Sequence, residues 1–164
     1  MAAERPLSSF HRALDRLSGL FALGGGMLLV AVGLMTVVSI VGRWLFFVPV
    51  PGDFELMQNG CAVAIFTFLP HAQMRRGHVA VDLFTRSLPP SIQKGVEAIG
   101  FGIFTLIAAL LTWRLSLGGL SFLTSGETSM ILGLPLWWSF PPIVASCALL
   151  TLCCLSDLIG SLRR

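Results

Sequence analysis

The sequence predicts an all-α integral membrane protein, with four transmembrane helices in a single domain over residues 1–164 and both termini cytoplasmic. Three observations lead there. Of the 164 residues, 55% are hydrophobic and only 12% charged, whereas a soluble domain carries about 25% charged residues. Four apolar stretches, at approximately 17–41, 54–74, 92–118 and 137–160, each reach the roughly 20 residues a helix needs to cross a bilayer. The basic residues, finally, gather on alternate connections, as orientation in a membrane requires.

Residues 1–16 are polar, with Arg5, Arg12 and Arg16 set against Glu4 and Asp15. The SSFHRALDRLSGLF portion reads as a short interfacial helix capped by Ser8 or Ser9. The apolar run after it is longer than the roughly 7–15 residues of a signal-peptide core, and no A-x-A site closes it, so a retained signal-anchor helix is expected. Within this first span Gly19, Gly26 and Gly33 recur every seven residues, with Ala22 and Thr36 on the same stripe. Such a stripe suggests close approach of a second helix.

Arg43 and Trp44 close the first span, and Pro49, Pro51 and Gly52 break the backbone before Asp53 caps the second. Gly60, Ala64, Thr67 and His71 share one face of that second helix, and Pro70 is placed to kink or end it. A polar break follows, RRGHVAVDLFTRSLPPS over residues 75–91. The third span carries the sharpest pattern in the chain. Gly95, Ala98, Gly102, Thr105, Ala109, Thr112, Ser116 and Gly119 alternate at spacings of three and four, all small. In lipid, helices gain nothing by hiding apolar side chains from the solvent, so contact rests on van der Waals fit and hydrogen bonds that small residues permit. Gly95 to Ser116 are therefore the predicted helix-packing interface. The segment SFLTSGETSMILGLPLWW then lies at the membrane interface. Pro141 and Pro142 sit in the first turns of the fourth span, where proline is tolerated. That span carries its own small stripe of Ser139, Pro142, Ser146, Cys153, Ser156 and Gly160, interrupted by Leu149.

Four spans put both termini and the central break on one side. That side holds nine of the 11 basic residues, Arg5, Arg12, Arg16, Arg75, Arg76, Arg86, Lys94, Arg163 and Arg164, which makes it cytoplasmic. Arg43 and Arg114 fall towards the other surface, as do Trp44, Trp113, Trp137 and Trp138, an aromatic belt. The net charge of +3 is thus spread over helix ends and does not form a nucleic-acid-binding face.

The chain offers no enzyme chemistry. There is no P-loop, no nucleophile paired with a base and no metal-ligand set, and the four cysteines (Cys61, Cys147, Cys153, Cys154) form no C-x-x-C. Of the three histidines only His71 lies near a span, at its cytoplasmic end, where a hydrogen-bonding role suits it better than haem ligation. The candidate residues are instead partner contacts. Asp53 and Glu55 sit at the outer surface. His78 and Asp82, four apart, can share a helix face. Arg114 is the one base embedded in a span, where either snorkelling to the interface or an ion pair with Glu127 or a partner's carboxylate would serve it. A transporter acting alone would show ionisable or broken-helix features at mid-membrane, so an accessory subunit is expected.

Three stretches, PGDFEL (51–56), RRGHVAVDLF (75–84) and GETSMILGLPLWW (126–138), taken with their order among four spans, resemble the small membrane subunit of TRAP (tripartite ATP-independent periplasmic) transporters. The likeness runs from the first span through the fourth. Its most specific piece is R-G-H-V-x-V-D. Many relatives have a tryptophan and paired acids where this chain has Gly52-Asp53-Phe54-Glu55. The resemblance implies secondary active transport across the bacterial inner membrane, driven by a sodium gradient. A periplasmic binding protein would deliver an organic-acid-type solute to a large membrane permease subunit, which would hold the substrate and sodium sites. This chain would hold no cofactor and would brace the permease and help dock the binding protein. The alternatives are a haem- or quinone-associated membrane anchor of a redox enzyme and a small self-sufficient exporter.

Overall fold

A computed structural model describes residues 9–47, 50–76 and 90–162. These form four α-helices, α1 (Ser9–Phe46), α2 (Asp53–Arg76), α3 (Pro90–Ser125) and α4 (Phe140–Leu162), with a short 3-10 helix at Leu136–Ser139 leading into α4. Helix α1 begins and α2 and α4 end at one end of the bundle, the terminal end; the α1–α2 turn and the α3–α4 connection lie at the other, the loop end. Three of the helix ends have a local cause. Phe47 (φ 56) takes the left-handed conformation after α1, and Gly126 (φ 64) does so after α3, returning its amide to the Phe122 carbonyl at 3.2 Å. Asp53 and Glu55 place negative charge in the first turn of α2, where the helix dipole favours it. Pro70 does not end α2, which continues to Arg76.

Three of the helices among the described residues are long and apolar enough to cross a membrane: His11–Phe46, Ile99–Ser125 and Leu136–Gly160. The second of the four expected spans is not among them. Helix α2, 24 residues long, carries Asp53, Glu55, Gln58 and Asn59 at one end and His71, Gln73, Arg75 and Arg76 at the other, which leaves only a short apolar middle.

In space the order is α1, α2, α4, α3. Helix α2 packs on α1 and on α4, and α3 packs chiefly on α4. The central position of α4 shows in its burial: 44% of its most apolar window is covered, against 11% for α1 and 6% for α3. The α1–α2 seam is an antiparallel ladder with a seven-residue repeat. Ser18, Gly25, Val32 and Ser39, seven residues apart, are buried positions of α1. Gly25 lies against Thr67 and Val32 against Gly60, while Ser39 bonds Asp53. Gly25 is needed for this approach, because a Cβ there would overlap the Thr67 hydroxyl and sit 3.3 Å from the Ala64 carbonyl oxygen. The seam therefore runs one residue away from the expected Gly19, Gly26 and Gly33 stripe. Gly19 and Gly33 face open space. A one-residue offset rotates the contact face by about 100°, and Val32, large and buried, finds its hole in Gly60.

Helix α4 buries both of its flanks. Leu149 and Cys153 pack with Leu14, Phe21 and Met74 of α1 and α2, while Leu150 and Cys154 pack with Ala108 of α3. Ser146, at the centre of its expected small stripe, is fully buried. Asp157, near the terminal end, is also buried and accepts a hydrogen bond from the Gln73 amide at 3.3 Å.

Candidate functional site

The loop end concentrates the polar contacts of the molecule. Two carboxylates at the start of α2, two residues apart, tie three segments together. The Asp53 carboxylate accepts a short hydrogen bond from the Ser39 hydroxyl of α1, and lies 3.4 Å from the Arg43 guanidinium one turn further along α1. Ser39 in turn accepts the Val50 amide at 3.3 Å, so one buried hydroxyl stitches helix, turn and helix. The Ser39 bond, foremost, holds the Asp53 carboxyl below its ordinary value against an opposing desolvation; the Phe54 amide and Arg43 add to the lowering.

Glu55 reaches the other way, into the α3–α4 connection. Its carboxylate accepts the Ser129 hydroxyl at 2.7 Å, the Ile131 amide at 2.9 Å and the Leu132 amide at 3.2 Å. Successive backbone amides converging on an anion form a compact binding concavity, here filled by the chain's own side chain. The connection is also braced internally. Ser129 and Leu134 exchange hydrogen bonds, Gly133 turns at φ 64, and Thr128 pairs with Pro135. Gly52 (φ 74) lets the α1–α2 turn pass directly beneath this loop, since any Cβ would collide with the Leu132 side chain. The outcome is a braced loop that presents Met130, fully exposed, beside Ile131, and Trp44, Phe46, Phe47 and Phe54 are exposed at the end of α1 and the start of α2. Between α1, α2 and the loop opens an apolar cavity of about 370 Å³, lined by Leu28, Met35, Asn59, Val63, Leu134 and Trp138 among others.

The structure distributes the residues singled out from sequence as follows. Asp53 and Glu55 are brought together at the loop end, with their carboxylates engaged inside the chain. Glu127 is exposed beside them, its carbonyl accepting the Leu136 amide at 3.1 Å. Arg114 is exposed on α3, thirteen residues from Glu127, and makes no ion pair among the described residues. Helix α3 extends to Ser125, beyond the expected end at 118, which sets Arg114 and Trp113 three turns inside the helix and not at its rim. His78 and Asp82 lie outside the described residues. The small stripe of α3 divides. Thr112 meets Thr151 of α4 at 3.1 Å between hydroxyls, and a Cβ on Gly119 would press on Phe140. Thr105 and Ser116 are half-buried and bond back to their own helix. Gly95 and Gly102 have open space where a Cβ would be, and Ala109 is exposed. Ala98 lies on the helix between them. Three contributors escaped the sequence reading: Ser39, Ser129 and the Gln73–Asp157 pair. A serine one turn before a helix-ending arginine was the available signal for the first; the second sat within a stretch already singled out. His71, near the terminal end, has its Nδ1 buried without a hydrogen-bond partner. Among the described residues no group of three or more His, Cys, Asp or Glu could hold a metal ion.

This arrangement is a cross-braced layer of helices with bare outer flanks. The family described as Tripartite ATP-independent periplasmic transporters, DctQ component, matches residues 32–164. Comparison with curated proteins and with solved structures returned no match.

Proposed function

The chain belongs to the DctQ component family of the tripartite ATP-independent periplasmic transporters, and from that premise we propose that it is the scaffold subunit of a sodium-coupled importer of organic-acid-type solutes in the bacterial inner membrane. Its partners are a large permease subunit, which carries the substrate and sodium sites, and a periplasmic binding protein. The observation that carries this reading is the family match over most of the chain, joined to the bareness of α1 and α3, in whose apolar windows the chain buries only 11% and 6% of the residues. The family favours this reading over a redox anchor.

In this reading α2 also crosses the membrane, giving four spans with both termini cytoplasmic. What supports it is the ladder with α1, which engages α2 from Asp53 to Thr67, and the Gln73–Asp157 contact beyond. Polar residues cluster at the two ends of α2, where headgroups and water reach them, and its middle is sheltered between α1 and α4. The loop end is then periplasmic, and Met130 and the aromatic residues around it face the binding protein or the permease.

The test is reconstitution. Proteoliposomes holding the permease and this chain, supplied with the binding protein and an inward sodium gradient, should take up solute; omission of this chain, of sodium or of the binding protein should abolish uptake. Solute movement in vesicles containing this chain alone would overturn the reading. Reporter fusions at positions 48 and 127 should both report a periplasmic location, and a cytoplasmic signal at either would refute the topology.

A further inference from the structure

Arg114 is the only charged residue between Ile99 and Ser125, an apolar stretch of 27 residues. At 1.5 Å per residue that stretch is about 40 Å long, longer than the roughly 30 Å hydrocarbon layer. Arg114 lies 11 residues, about 16 Å, from one end and 15 residues, about 22 Å, from the other. Wherever a 30 Å layer is drawn within Ile99–Ser125, Arg114 falls at least about 7 Å inside it. A guanidinium stays charged at any accessible pH and is costly at such depth unless paired.

No acid among the described residues is placed to pair it. Glu127 and Glu97 are displaced by 13 and 17 residues, about 20 and 25 Å along the helix direction. Asp53 and Glu55 are engaged at the loop end, while Asp15 and Asp157 lie near the terminal end. A second copy would bring the same acids at the same depths. A lipid phosphate is disfavoured by direction. Cα–Cβ bonds tilt towards a helix's N-terminus, and α3 begins at the terminal end, so the side chain leaves the backbone pointing away from the nearer headgroups. Arg114 also shares an exposed stripe with Ile103, Ile107, Leu110, Leu117 and Ser121, turned away from the Phe101, Ala108 and Thr112 side that faces α4.

We propose that Arg114 is the ionic anchor by which α3 binds the large membrane subunit, pairing with a carboxylate that one of that subunit's helices carries at mid-membrane depth. This rests on the scaffold reading above. An ion pair in the hydrocarbon layer fixes helix register as well as adding affinity, because displacement by one turn leaves two unpaired charges.

The experiment is co-purification and affinity measurement of the two membrane subunits in nanodiscs. Arg114→Leu removes a charge from a span and so eases insertion, and the thermal melt of the isolated chain serves as the control for folding. Affinity should fall on the order of tenfold or more for Arg114→Leu, further for Arg114→Glu, and less for Arg114→Lys. In the Arg114→Glu background, changing the membrane-embedded acids of the large subunit to Arg one at a time should restore binding at a single position. Equal affinity for wild type and Arg114→Leu would overturn the proposal while leaving the scaffold reading intact. So would a loss that follows the anionic-lipid content of the nanodisc and that no charge reversal restores, since the counter-charge would then be a phosphate. Failure of the wild-type chain to hold the large subunit at all would overturn both.

Discussion

The α1–α2 seam makes a quantitative demand on Gly25. A Cβ at that position overlaps the Thr67 hydroxyl and sits 3.1 Å from Thr67 Cβ and 3.3 Å from the Ala64 carbonyl oxygen. Thr67 is held in place by its buried hydroxyl, which donates to the Ala64 carbonyl at 2.8 Å, so swinging it clear gives up that bond. Backbone at Ala64 cannot yield without distorting α2. Gly25→Ala should therefore carry an overpacking cost of about 1–3 kcal/mol, reduced by the roughly 1 kcal/mol that alanine gains over glycine as a helix former. Gly33→Ala on the same helix gains the propensity and meets nothing within 4 Å. The difference between the two variants isolates the steric cost, about 1–3 kcal/mol or roughly a five- to 140-fold change in the folding equilibrium. The measurement is reversible SDS titration in mixed micelles followed by far-UV circular dichroism. Adding Thr67→Ala removes the worst overlap but not the Ala64 contact, so the double variant should be milder than the sum of the singles by at least about 0.5 kcal/mol. If Gly25→Ala behaves like Gly33→Ala, or if Thr67→Ala brings no relief, the seam does not run through these residues.

Gly52→Ala combines a left-handed backbone with a collision against Leu132; it should cost more than about 1 kcal/mol in the same titration, and Leu132→Ala should recover only the steric part. The Asp53 carboxyl is depressed below 3.8 by the Ser39 bond first of all, so its contribution to stability is complete above that pH and is lost as the pH falls through the lower folded value. Melting curves of wild type and Asp53→Asn should differ by a constant amount from neutral pH down to about 4 and converge below it; a gap that closes near pH 6 would point to another group. Glu55→Gln exchanges an anionic acceptor for an amide that offers one acceptor oxygen, and hydrogen exchange at the Ile131 and Leu132 amides should accelerate. Unchanged protection there would mean that the loop holds itself. Gly102→Leu with Ala109→Leu should leave the isolated chain as stable as before or more so, because neither position is filled within the chain, while weakening assembly with the large subunit.

Much of the fold was legible in composition and spacing, and what was missed has a common cause. Helices α1, α3 and α4 announce themselves by uninterrupted apolar length, and Ser146 and Cys153 on α4 mark a face that is indeed buried. On α1 the seven-residue repeat was visible, yet two adjacent stripes carry it: Gly19, Gly26 and Gly33, or Ser18, Gly25, Val32 and Ser39. One helix alone cannot decide between them. The choice is made by Gly60 and Thr67 on α2, which offer a hole for Val32 and a close wall for Gly25. Glu55 could be placed at a helix start from sequence, but its partners are chiefly backbone amides 76 and 77 residues away, and amides leave no trace in residue identity. Asp157 was overlooked because it lies close to the end of a span, where acids are unremarkable; only the approach of Gln73 across 84 residues shows it buried.

The placement of charge explains how so thin a molecule holds its helices together. The described helices share little buried core, with clusters of only a few residues on each side of α4. Rigidity has to come from elsewhere, and the acids supply it: Asp53 locks α1 to α2, Glu55 locks α2 to the loop before α4, and Asp157 with Gln73 fastens α2 to α4 at the opposite end. Hydrogen bonds to a carboxylate are among the strong ones and are directional, so three such ties fix a layer of helices that packing alone would leave loose. The side chains spared from this bracing are the ones turned outward on α1 and α3, mostly apolar, with Arg114 the only charged residue within the apolar stretch of α3. A layer tied at its ends and bare on its flanks leaves both outer helices open along their length, and Arg114 is the charge within the apolar stretch of α3 that has no ion pair among the described residues.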